Sequence, residues 1–431
     1  MDIGLYIENI RNDIDYSDAD RYNPGVGGTQ FLFLELAFYL EKHSDYRIHL
    51  ITNTDLNQKL KCNYIVVSNI FEAIDICSKN AIDLLVIRGP IYNKKIAEAL
   101  VKNNVRAIIW SHNFESYPSI RIAEKCPNII KYVCVSQEQC DLFIDTELNN
   151  KSCYIWNSLN FTDYHRNGFP NSPTICYIGN LYPKSGYDKF AKAWIKIERE
   201  LPNTRLYIIG GNDLYREKVI QGRYSPKSVN KLNRIVKKAF YKDGILKSNV
   251  HFTGVLGGQD KLNIMKQATI GIANLTETGE TFGLSLIEFE ALGIPVISFN
   301  YRGVRETVNN RKTGILVKKN NLANETINLL QNEALIQAMS KNAEIFVRQS
   351  FDIKKIGMKW IELFYDLITE GRDLFKKNEI QKKRFLYDNK KYLWINKKLK
   401  EKKCLSWLPP ISFYNYIIEM CKRILEKINL I

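Results

Sequence analysis

The sequence alternates short apolar stretches with longer amphipathic stretches, and this pattern occurs twice, on either side of a polar segment at 163–173. Parallel strands need long crossover connections, so the alternation is typical of β-α units stacked around a parallel sheet. The first set of predicted strands comprises Ile3–Ile7, His49–Thr52, Leu84–Ile87, Ala107–Trp110 and Tyr132–Val135. The second set comprises Thr174–Ile178, Leu206–Ile209, His251–Thr253, Ile270–Ala273 and Val296–Ser298. We therefore predict an α/β fold of two tandem doubly wound, Rossmann-like domains that face a central cleft.

The length of 431 residues suits two domains of ordinary size with additional segments. The polar residues and prolines of 163–173 predict a linker between the domains. Beyond the second domain, the apolar spacing of Arg348–Thr369 predicts one amphipathic helix that packs back on the first domain. The predicted segments are a first domain at 1–165, a second domain at 174–345 with a basic insertion at 212–249, a closing helix at 346–370 and a tail at 371–431.

The tail carries most of the positive charge of the chain. Residues 371–403 contain thirteen Lys or Arg and four acidic residues, a surplus of nine, and residues 404–431 add a surplus of one. The tail therefore supplies ten of the sixteen net charges. A basic tail on a milder body indicates an anionic partner, either a membrane surface or a nucleic acid.

The end of the tail has the pattern of an amphipathic helix. After Pro410, apolar residues such as Ile417 and Ile424 share one face, and Glu419 and Lys422 share the other. We expect this helix to lie in an anionic membrane interface, and the alternative is that it packs on the body. Aromatic residues among the lysines of the tail leave a nucleic-acid-binding protein as a second alternative. The body lacks basic runs of this density, so no nucleic acid partner is expected.

Several classes of protein are disfavoured by the composition. The nine cysteines are odd in number and include no Cys-x-x-Cys pair, which indicates neither a zinc knuckle nor a disulfide framework. The first residues carry acid where an export signal carries base, and no stretch of about 18 uncharged apolar residues is present. We expect a cytoplasmic protein that is peripheral on the inner face of the cytoplasmic membrane.

The most informative segment lies at 276–297, where a loop enters an apolar helix near Gly283 and the helix ends near Gly293. The start of a helix exposes free N–H groups and a partial positive charge, so it can hold a phosphate. Glu280 precedes this start, and Glu288 lies about 7.5 Å further along the helix axis. The layout fits a nucleotide sugar with its sugar at Glu280, its diphosphate at the helix start and its ribose at Glu288. The alternative is an ordinary loop and helix with two unrelated glutamates.

Glu280 and Glu288, with seven residues between them and Phe282-Gly283 inside, resemble the paired-glutamate signature of family 4 retaining glycosyltransferases, which have the GT-B fold. Residues 1 to about 366 follow the order of that family. Weaker resemblances accompany the signature. They are Val250–Gly254 to the base-pocket strand, Gly303–Glu306 to the Gly-x-x-Glu loop and Lys312–Val317 to the next hairpin.

The resemblance implies roles for individual residues. Glu280 holds the donor sugar, and His112, which follows a predicted strand, lies close to it, although a histidine at a strand end is more often structural. The implied donor-binding residues are Gly27 and Gly28 in a glycine loop before a helix, Lys184, Gly254 and Val255 at the base, Phe282 in the motif, Gly283 and Leu284 at the phosphates, and Glu288 at the ribose.

One segment departs from the family pattern of Gly-Arg followed by Lys-Gly. Asn180 stands in place of the arginine, Lys184 is displaced by one position, and Ser185 occupies the expected lysine position. One charge pair at 4 Å contributes up to about 4 kcal/mol near a protein surface. The displaced Lys184 could still reach the diphosphate, or Asn180, Arg302 or Arg305 could contact it instead. A catalytically weak or inactive GT-B subunit that supports a partner is therefore an alternative.

The implied function is transfer of a sugar, with retention of anomeric configuration, from a nucleotide diphosphate donor, a UDP-sugar being expected. The expected acceptor is a glycan or a lipid-linked saccharide in the synthesis of a bacterial surface polysaccharide, such as lipopolysaccharide or capsule. No metal and no cofactor are expected. The two Asp-x-Asp sequences at 13–15 and 18–20 lie in an early polar loop and indicate no metal site.

Overall fold

The computed structural model describes residues 1–8, 10, 13–56, 62–181, 185–211, 230–276, 279–369 and 391–427. Lys184, which the sequence analysis assigns to the donor, lies outside the described residues. So do residues 212–229 of the basic insertion and residues 370–390 of the tail.

The first domain is a seven-stranded parallel sheet with the order β3-β2-β1-β4-β5-β6-β7. Its strands are β1 (Asp2–Ile7), β2 (Arg47–Thr52), β3 (Tyr64–Val66), β4 (Leu84–Arg88), β5 (Ala107–Ser111), β6 (Ile129–Cys134) and β7 (Ser152–Tyr154). Its helices are α1 (Gly28–His43), α2 (Ile70–Lys79), α3 (Lys94–Lys102), α4 (Tyr117–Lys125) and α5 (Gln137–Cys140). All five strands predicted in this half are present.

The second domain is a six-stranded parallel sheet with the order β12-β9-β8-β13-β14-β15. Its strands are β8 (Thr174–Ile178), β9 (Arg205–Ile209), β12 (Val250–Gly254), β13 (Ile270–Ala273), β14 (Val296–Phe299) and β15 (Gly314–Val317). Its helices are α6 (Tyr187–Glu200), α8 (Gly258–Met265), α9 (Leu284–Ala291), α10 (Val304–Thr307) and α11 (Leu322–Leu330). The described part of the insertion forms α7 (Asn230–Phe240) and a hairpin of β10 (Tyr241–Lys242) and β11 (Ile245–Leu246).

Strand order reverses once in each sheet, between β1 and β4 in the first domain and between β8 and β13 in the second. In open parallel sheets, ligands bind outside the carboxyl ends of the strands at this reversal, because the helices on its two sides diverge there. The predicted fold class of two doubly wound domains is confirmed. The reversal points are where a site is expected.

The segment after the second domain differs from the single closing helix predicted at Arg348–Thr369. Two helices are present, α12 (Glu333–Phe351) and α13 (Ile353–Ile368), and they are separated at Asp352. The Asp352 carboxylate accepts the N–H of Lys354 at 2.9 Å, so this residue caps α13 and ends the continuous helix. Arg348 therefore belongs to α12.

Helix α13 contacts the first domain. The Tyr39 hydroxyl on α1 donates to the carbonyl of Lys354 at 3.1 Å, and the rings of Trp110 and Trp360 lie 4.8 Å apart between centroids. The chain thus crosses to the second domain and returns to the first, so the two domains are joined by two segments.

The described tail consists of α14 (Lys391–Lys400) and α15 (Ile411–Lys427). Asp145 of the first domain anchors both, because its carboxylate accepts the N–H of Ile411 at 2.7 Å and the side-chain amide of Asn396 at 2.7 Å. Leu393 is buried against Ile144. No helix in the described part of the chain is long and apolar enough to cross a membrane.

A buried carboxyl group joins α1 to the segment that leaves the first domain. Glu35 accepts hydrogen bonds from the Ser158 hydroxyl at 2.9 Å and from the N–H of Asn160 at 2.9 Å. Burial is the largest influence on this group, and it raises the pKa of Glu35 from 4.5 to about 8 although the two hydrogen bonds lower it.

Glu35→Gln should flatten the pH dependence of stability. The folded chain keeps this proton to a higher pH than the unfolded chain, so the folded state binds more protons between about pH 4.5 and pH 8 and loses stability as pH rises through that range. Glutamine retains one acceptor and one donor without titrating. Denaturant unfolding at several pH values measures the effect, with Glu41→Gln on the exposed end of α1 as the control. An unchanged slope in Glu35→Gln would contradict the assignment.

Candidate functional site

A cavity of about 320 Å³ lies between the two domains, at the strand-order reversal of the second sheet. The predicted site residues Gly27, Gly28, Asn180, Val255, Glu280, Leu284 and Glu288 line it. Its other lining residues are Asn23, Gly25, Val26, Tyr177, Ile178, Gly179, Ser185, Ile209, Gly210, Leu256, Lys261, Asn274, Thr276 and Ser285. The structure therefore gathers residues from both predicted domains around one space.

The glycine loop before α1 forms one wall of the cavity. The Asn23 side-chain oxygen accepts the N–H groups of Gly25 and Val26, each at 2.9 Å, and thus holds the turn. The loop lies directly against the second domain, because a Cβ added at Gly257 would lie 2.0 Å from the carbonyl carbon of Pro24. The N–H of Gly258 completes the contact by donating to the Asn23 carbonyl at 2.7 Å.

The loop from 279 to 283 leads into α9, and its Glu280 lines the cavity. Gly283 adopts φ +98°, a left-handed conformation that favours glycine, and α9 begins at the next residue. The Glu280 carboxylate accepts the N–H of Phe282 at 3.2 Å and the side-chain amide of Asn274. Burial raises the pKa of Glu280, and these hydrogen bonds oppose the increase. A carboxyl group and a helix start therefore face the same cavity.

Phe282 contributes to the core at this turn, and its side chain does not line the cavity. It is buried and packs edge-on against Phe351, with ring centroids 5.3 Å apart. Gly254 ends β12 with φ +77° and also lies outside the set of lining residues, whereas its neighbour Val255 belongs to it. The base-pocket assignment of Gly254 thus depends on its backbone alone.

Glu288 forms a buried ion pair that the sequence analysis missed. Its two carboxylate oxygens lie 2.7 and 2.6 Å from the Lys261 Nζ, and the Tyr164 hydroxyl donates to one of them at 3.4 Å. Lys261 belongs to the buried side of α8, together with the apolar residues Leu262 and Met265. Lys261 also lines the cavity. A lysine on the buried face of a helix was the available signal, since lysine is rarely buried without a partner. Of the described residues that line the cavity, Lys261 alone carries a positive charge.

His112 follows β5 as predicted, but it does not line the cavity. Its ring packs against Trp110 and Phe33, with centroids 4.6 and 6.1 Å apart. Its carbonyl accepts the Thr281 hydroxyl at 2.7 Å, which places it behind the loop that carries Glu280. Burial, followed by the charge of Arg88, lowers the pKa of His112 to about 3, so the ring is neutral at physiological pH.

The two arginines considered as replacements for the missing diphosphate ligand do not reach the cavity. The Arg302 guanidinium lies 5.1 Å from the Phe114 ring centre and 3.7 Å from the Glu138 carboxylate, both in the first domain. Arg305 donates to the side-chain oxygen of Asn300 at 2.9 Å on the exposed surface. Neither arginine lines the cavity, since Arg302 lies on the loop after β14 and Arg305 lies in α10, so a contact of either one with a diphosphate stays a prediction. Asn180 lines the cavity but carries no charge.

The Gly-x-x-Glu loop joins the domains. The Glu306 carboxylate accepts the N–H groups of Gln137 and Glu138, at 3.0 and 2.6 Å, and the indole N–H of Trp156 at 2.7 Å. A carboxylate of the second domain thus caps α5 of the first.

The carboxylates of the early polar loop at 13–20 make local hydrogen bonds. Asp15 accepts the N–H of Ser17 at 2.8 Å, and Asp18 accepts the Tyr22 hydroxyl at 3.0 Å. Across the described residues, no three His, Cys, Asp or Glu side chains are grouped as a metal site.

Residues 162–346, which span the second domain, match the family model described as glycosyl transferases group 1. The Anabaena protein Alr3699/HepE, solved in complex with UDP-glucose, superposes with a TM-score of 0.65 at 16% identity over 85% of this chain and 100% of its own. The chain has the GT-B glycosyltransferase fold. An uncharacterized glycosyltransferase of Haemophilus influenzae is 21% identical over 73% of this chain and 85% of its own length.

An uncharacterized glycosyltransferase of Methanocaldococcus jannaschii is 25% identical over 206 residues, and this match spans about half of that relative's length, 47%. At 16% identity the solved structure establishes the fold alone.

Gly283→Ala should destabilise the protein and weaken its binding of a nucleoside diphosphate. A side chain at φ +98° costs about 1–2 kcal/mol, and the added Cβ would lie 3.1 Å from the Leu286 side chain at the start of α9. Thermal melting and calorimetry with UDP measure the two effects. Gly279→Ala is the matched control, because a Cβ there meets no atom within 4 Å. Equal behaviour of the two variants would contradict the role of Gly283.

Proposed function

We propose that this protein is a metal-independent retaining glycosyltransferase that transfers a sugar from a nucleotide diphosphate donor, a UDP-sugar being expected. The observation that carries the proposal is the position of Glu280 and Glu288 on either side of the start of α9, in one cavity between two domains. An end-to-end nucleotide sugar needs this order of groups: acceptors for sugar hydroxyls, donors for phosphate oxygens and acceptors for ribose hydroxyls. The UDP-glucose complex of the Anabaena protein with the same fold supports the choice of donor.

The diphosphate of the donor would lie at the N-terminus of α9. Leu284 and Ser285 line the cavity there, and the unpaired N–H groups of a first helical turn attract phosphate oxygens. Val255 and Leu256, at the end of β12, would contact the base. The helix start supplies positive potential without a metal ion.

Catalysis would depend on positioning and on stabilisation of the leaving diphosphate. Fixed N–H dipoles at the start of α9 meet the charge that develops as the sugar leaves. Glu280 would orient the sugar by accepting its hydroxyl protons, and the donor's own phosphate would serve as the base, as in the family that the motif resembles. Since His112 is neutral, its contribution would be a hydrogen bond or packing rather than acid catalysis.

The acceptor would be a glycan or a lipid-linked saccharide in bacterial surface polysaccharide synthesis, reached at the inner face of the cytoplasmic membrane. Support comes from α15, which is tied to the body at Ile411 while Ile418 and Ile424 further along are 51% and 50% exposed. Trp407, just before the helix, is 71% exposed. Exposed apolar and aromatic side chains on a basic tail fit an anionic lipid interface.

Asn180 stands where the family pattern has an arginine, and this favours a second candidate function. In that case the protein is a GT-B subunit that binds the nucleotide sugar but transfers the sugar slowly. Asn180 lines the cavity and cannot neutralise phosphate charge. Binding without turnover in the assay below would favour this candidate.

Glu280→Gln should abolish transfer while the protein stays folded. The amide presents an N–H₂ group to hydroxyls that need an acceptor, and it also faces the amide of Asn274, with which the carboxylate is hydrogen-bonded. A loss of at least about a hundredfold in kcat/KM is expected, equivalent to about 2.7 kcal/mol. Turnover of UDP-, GDP- and ADP-sugars is measured by release of the nucleoside diphosphate in buffer with EDTA, after a thermal-shift screen has identified the donor.

Gln259→Glu, on the exposed start of α8, is the control for a change of charge near the cleft. Wild-type turnover by Glu280→Gln would contradict the site assignment. Activity that EDTA abolishes and manganese restores would contradict the metal-free proposal.

Deleting residues 417–431 should release the protein from anionic vesicles at high salt and leave the body folded. The deletion keeps Ile411 and its contacts to Asp145, and it removes the exposed apolar face. Each Lys or Arg near an anionic leaflet contributes about 1 kcal/mol, and the basic stretch at 371–403 keeps its surplus of nine charges, so the shortened protein should still bind at low salt and be released at high salt. Flotation with phosphatidylglycerol and phosphatidylcholine vesicles measures the difference.

A point variant makes the same test without truncation. Ile418→Glu combined with Ile424→Glu should reduce flotation as the deletion does, whereas Ile245→Glu, at a residue 74% exposed in the second-domain hairpin, should not. A wild-type protein that ignores anionic vesicles, or a deletion that only lowers the melting temperature, would contradict membrane binding.

A further inference from the structure

A buried charge pair borders the cavity next to the residue assigned to the ribose. Lys261 is 8% exposed and Glu288 is 2% exposed, and the ammonium lies within 2.7 Å of both carboxylate oxygens. Tyr164 from the interdomain linker covers the pair from the other side and is fully buried. Both charged residues nevertheless line the cavity.

The stability of the fold alone does not explain why an ion pair is buried at this position. Desolvating two charges offsets most of their attraction, and buried ion pairs are often replaceable by apolar residues without loss. Leu262 and Met265 show that the same helix supplies apolar side chains to its buried face. We therefore expect Lys261 to contact a ligand in the cavity rather than to stabilise the core.

The Lys261–Glu288 pair can make more of the hydrogen bonds that a vicinal diol requires than a carboxylate alone can. Each hydroxyl group is at once a donor and an acceptor, a carboxylate only accepts, and an ammonium only donates. Lys261 and Tyr164 occupy three of the about four acceptor sites of the Glu288 carboxylate, so Glu288 can accept one hydroxyl proton of a ribose and supplies no donor to either hydroxyl oxygen. The ammonium of Lys261 has three N–H donors, and two of them suffice for the carboxylate oxygens. The third is available to the diol.

We propose that Lys261 is a second ribose-recognition residue, which acts with Glu288 to read the 2′ and 3′ hydroxyls of the donor nucleotide. The inference rests on the proposed function, since it requires a nucleoside diphosphate in the cavity. The pair selects ribonucleotides over deoxyribonucleotides, and Lys261 also holds the Glu288 carboxylate at the cavity wall.

Calorimetry on the full chain with UDP and 2′,3′-dideoxy-UDP tests the assignment. Wild-type protein should bind UDP about tenfold or more tightly than the dideoxy compound, as expected for charge-assisted hydrogen bonds. Lys261→Met should reduce this ratio at least about fivefold and leave the affinity for the dideoxy compound nearly unchanged. Lys266→Met, on the same helical segment but outside the lining of the cavity, is the control and should keep the wild-type ratio.

Lys261→Met leaves Glu288 buried without its cation, which destabilises the fold. A second variant therefore separates a loss of ribose recognition from a loss of folding. Lys261→Met combined with Glu288→Leu removes both charges together, and its ratio of affinities should fall to about one. A wild-type ratio in either folded variant would overturn the proposal. Equal loss of affinity for UDP and for dideoxy-UDP would also overturn it, because it would assign Lys261 to the phosphates.

Failure of the inference is distinguishable from failure of the proposed function. If UDP, GDP and ADP all fail to bind the wild-type protein, the proposed nucleotide donor is wrong and the inference falls with it. If a nucleotide binds and the ribose preference does not depend on Lys261, only the inference is wrong.

Discussion

The cavity depends on the direct backbone contact between the glycine loop of the first domain and the start of α8 in the second. At Gly257 there is no room for even one additional carbon, and the Asn23 carbonyl accepts the N–H of Gly258 across the boundary. The Glu306 carboxylate fastens the domains a second time by capping α5. With both contacts in place, the carboxyl ends of two parallel sheets face each other, and loops and helix starts from both are directed at one space.

The balance of charge in the cavity explains how a donor could be held after the loss of one arginine. The start of α9 provides N–H groups, and Lys261 is the cation supplied by the described lining residues, while Asn180 is uncharged. Because Lys261 is already paired with Glu288, the wall near the ribose is close to neutral. Among the described lining residues, backbone dipoles would thus meet most of the phosphate charge, and the contribution of Lys184 stays a prediction.

The sequence was sufficient for most of the architecture. Nine of the ten predicted strands are central strands, which are buried on both faces and read as apolar runs, and the tenth is the edge strand β12. All ten are present, whereas the three-residue edge strands β3 and β7 gave no comparable signal. The break at Asp352 was missed because apolar spacing continues across a capping residue. Glu280 and Glu288 could be placed from one local segment. Lys261 and the partners of Glu306 could not, since each contact joins elements that are distant in the chain.

Amide hydrogen exchange with and without UDP tests directly whether the interdomain cavity binds a nucleoside diphosphate. Binding of UDP in the cavity should slow exchange in peptides that cover the glycine loop at 25–28 and the start of α9 at 283–288, with little change in α2 or α3, neither of which lines the cavity. Unchanged exchange in both cavity segments at a UDP concentration that saturates binding would contradict it.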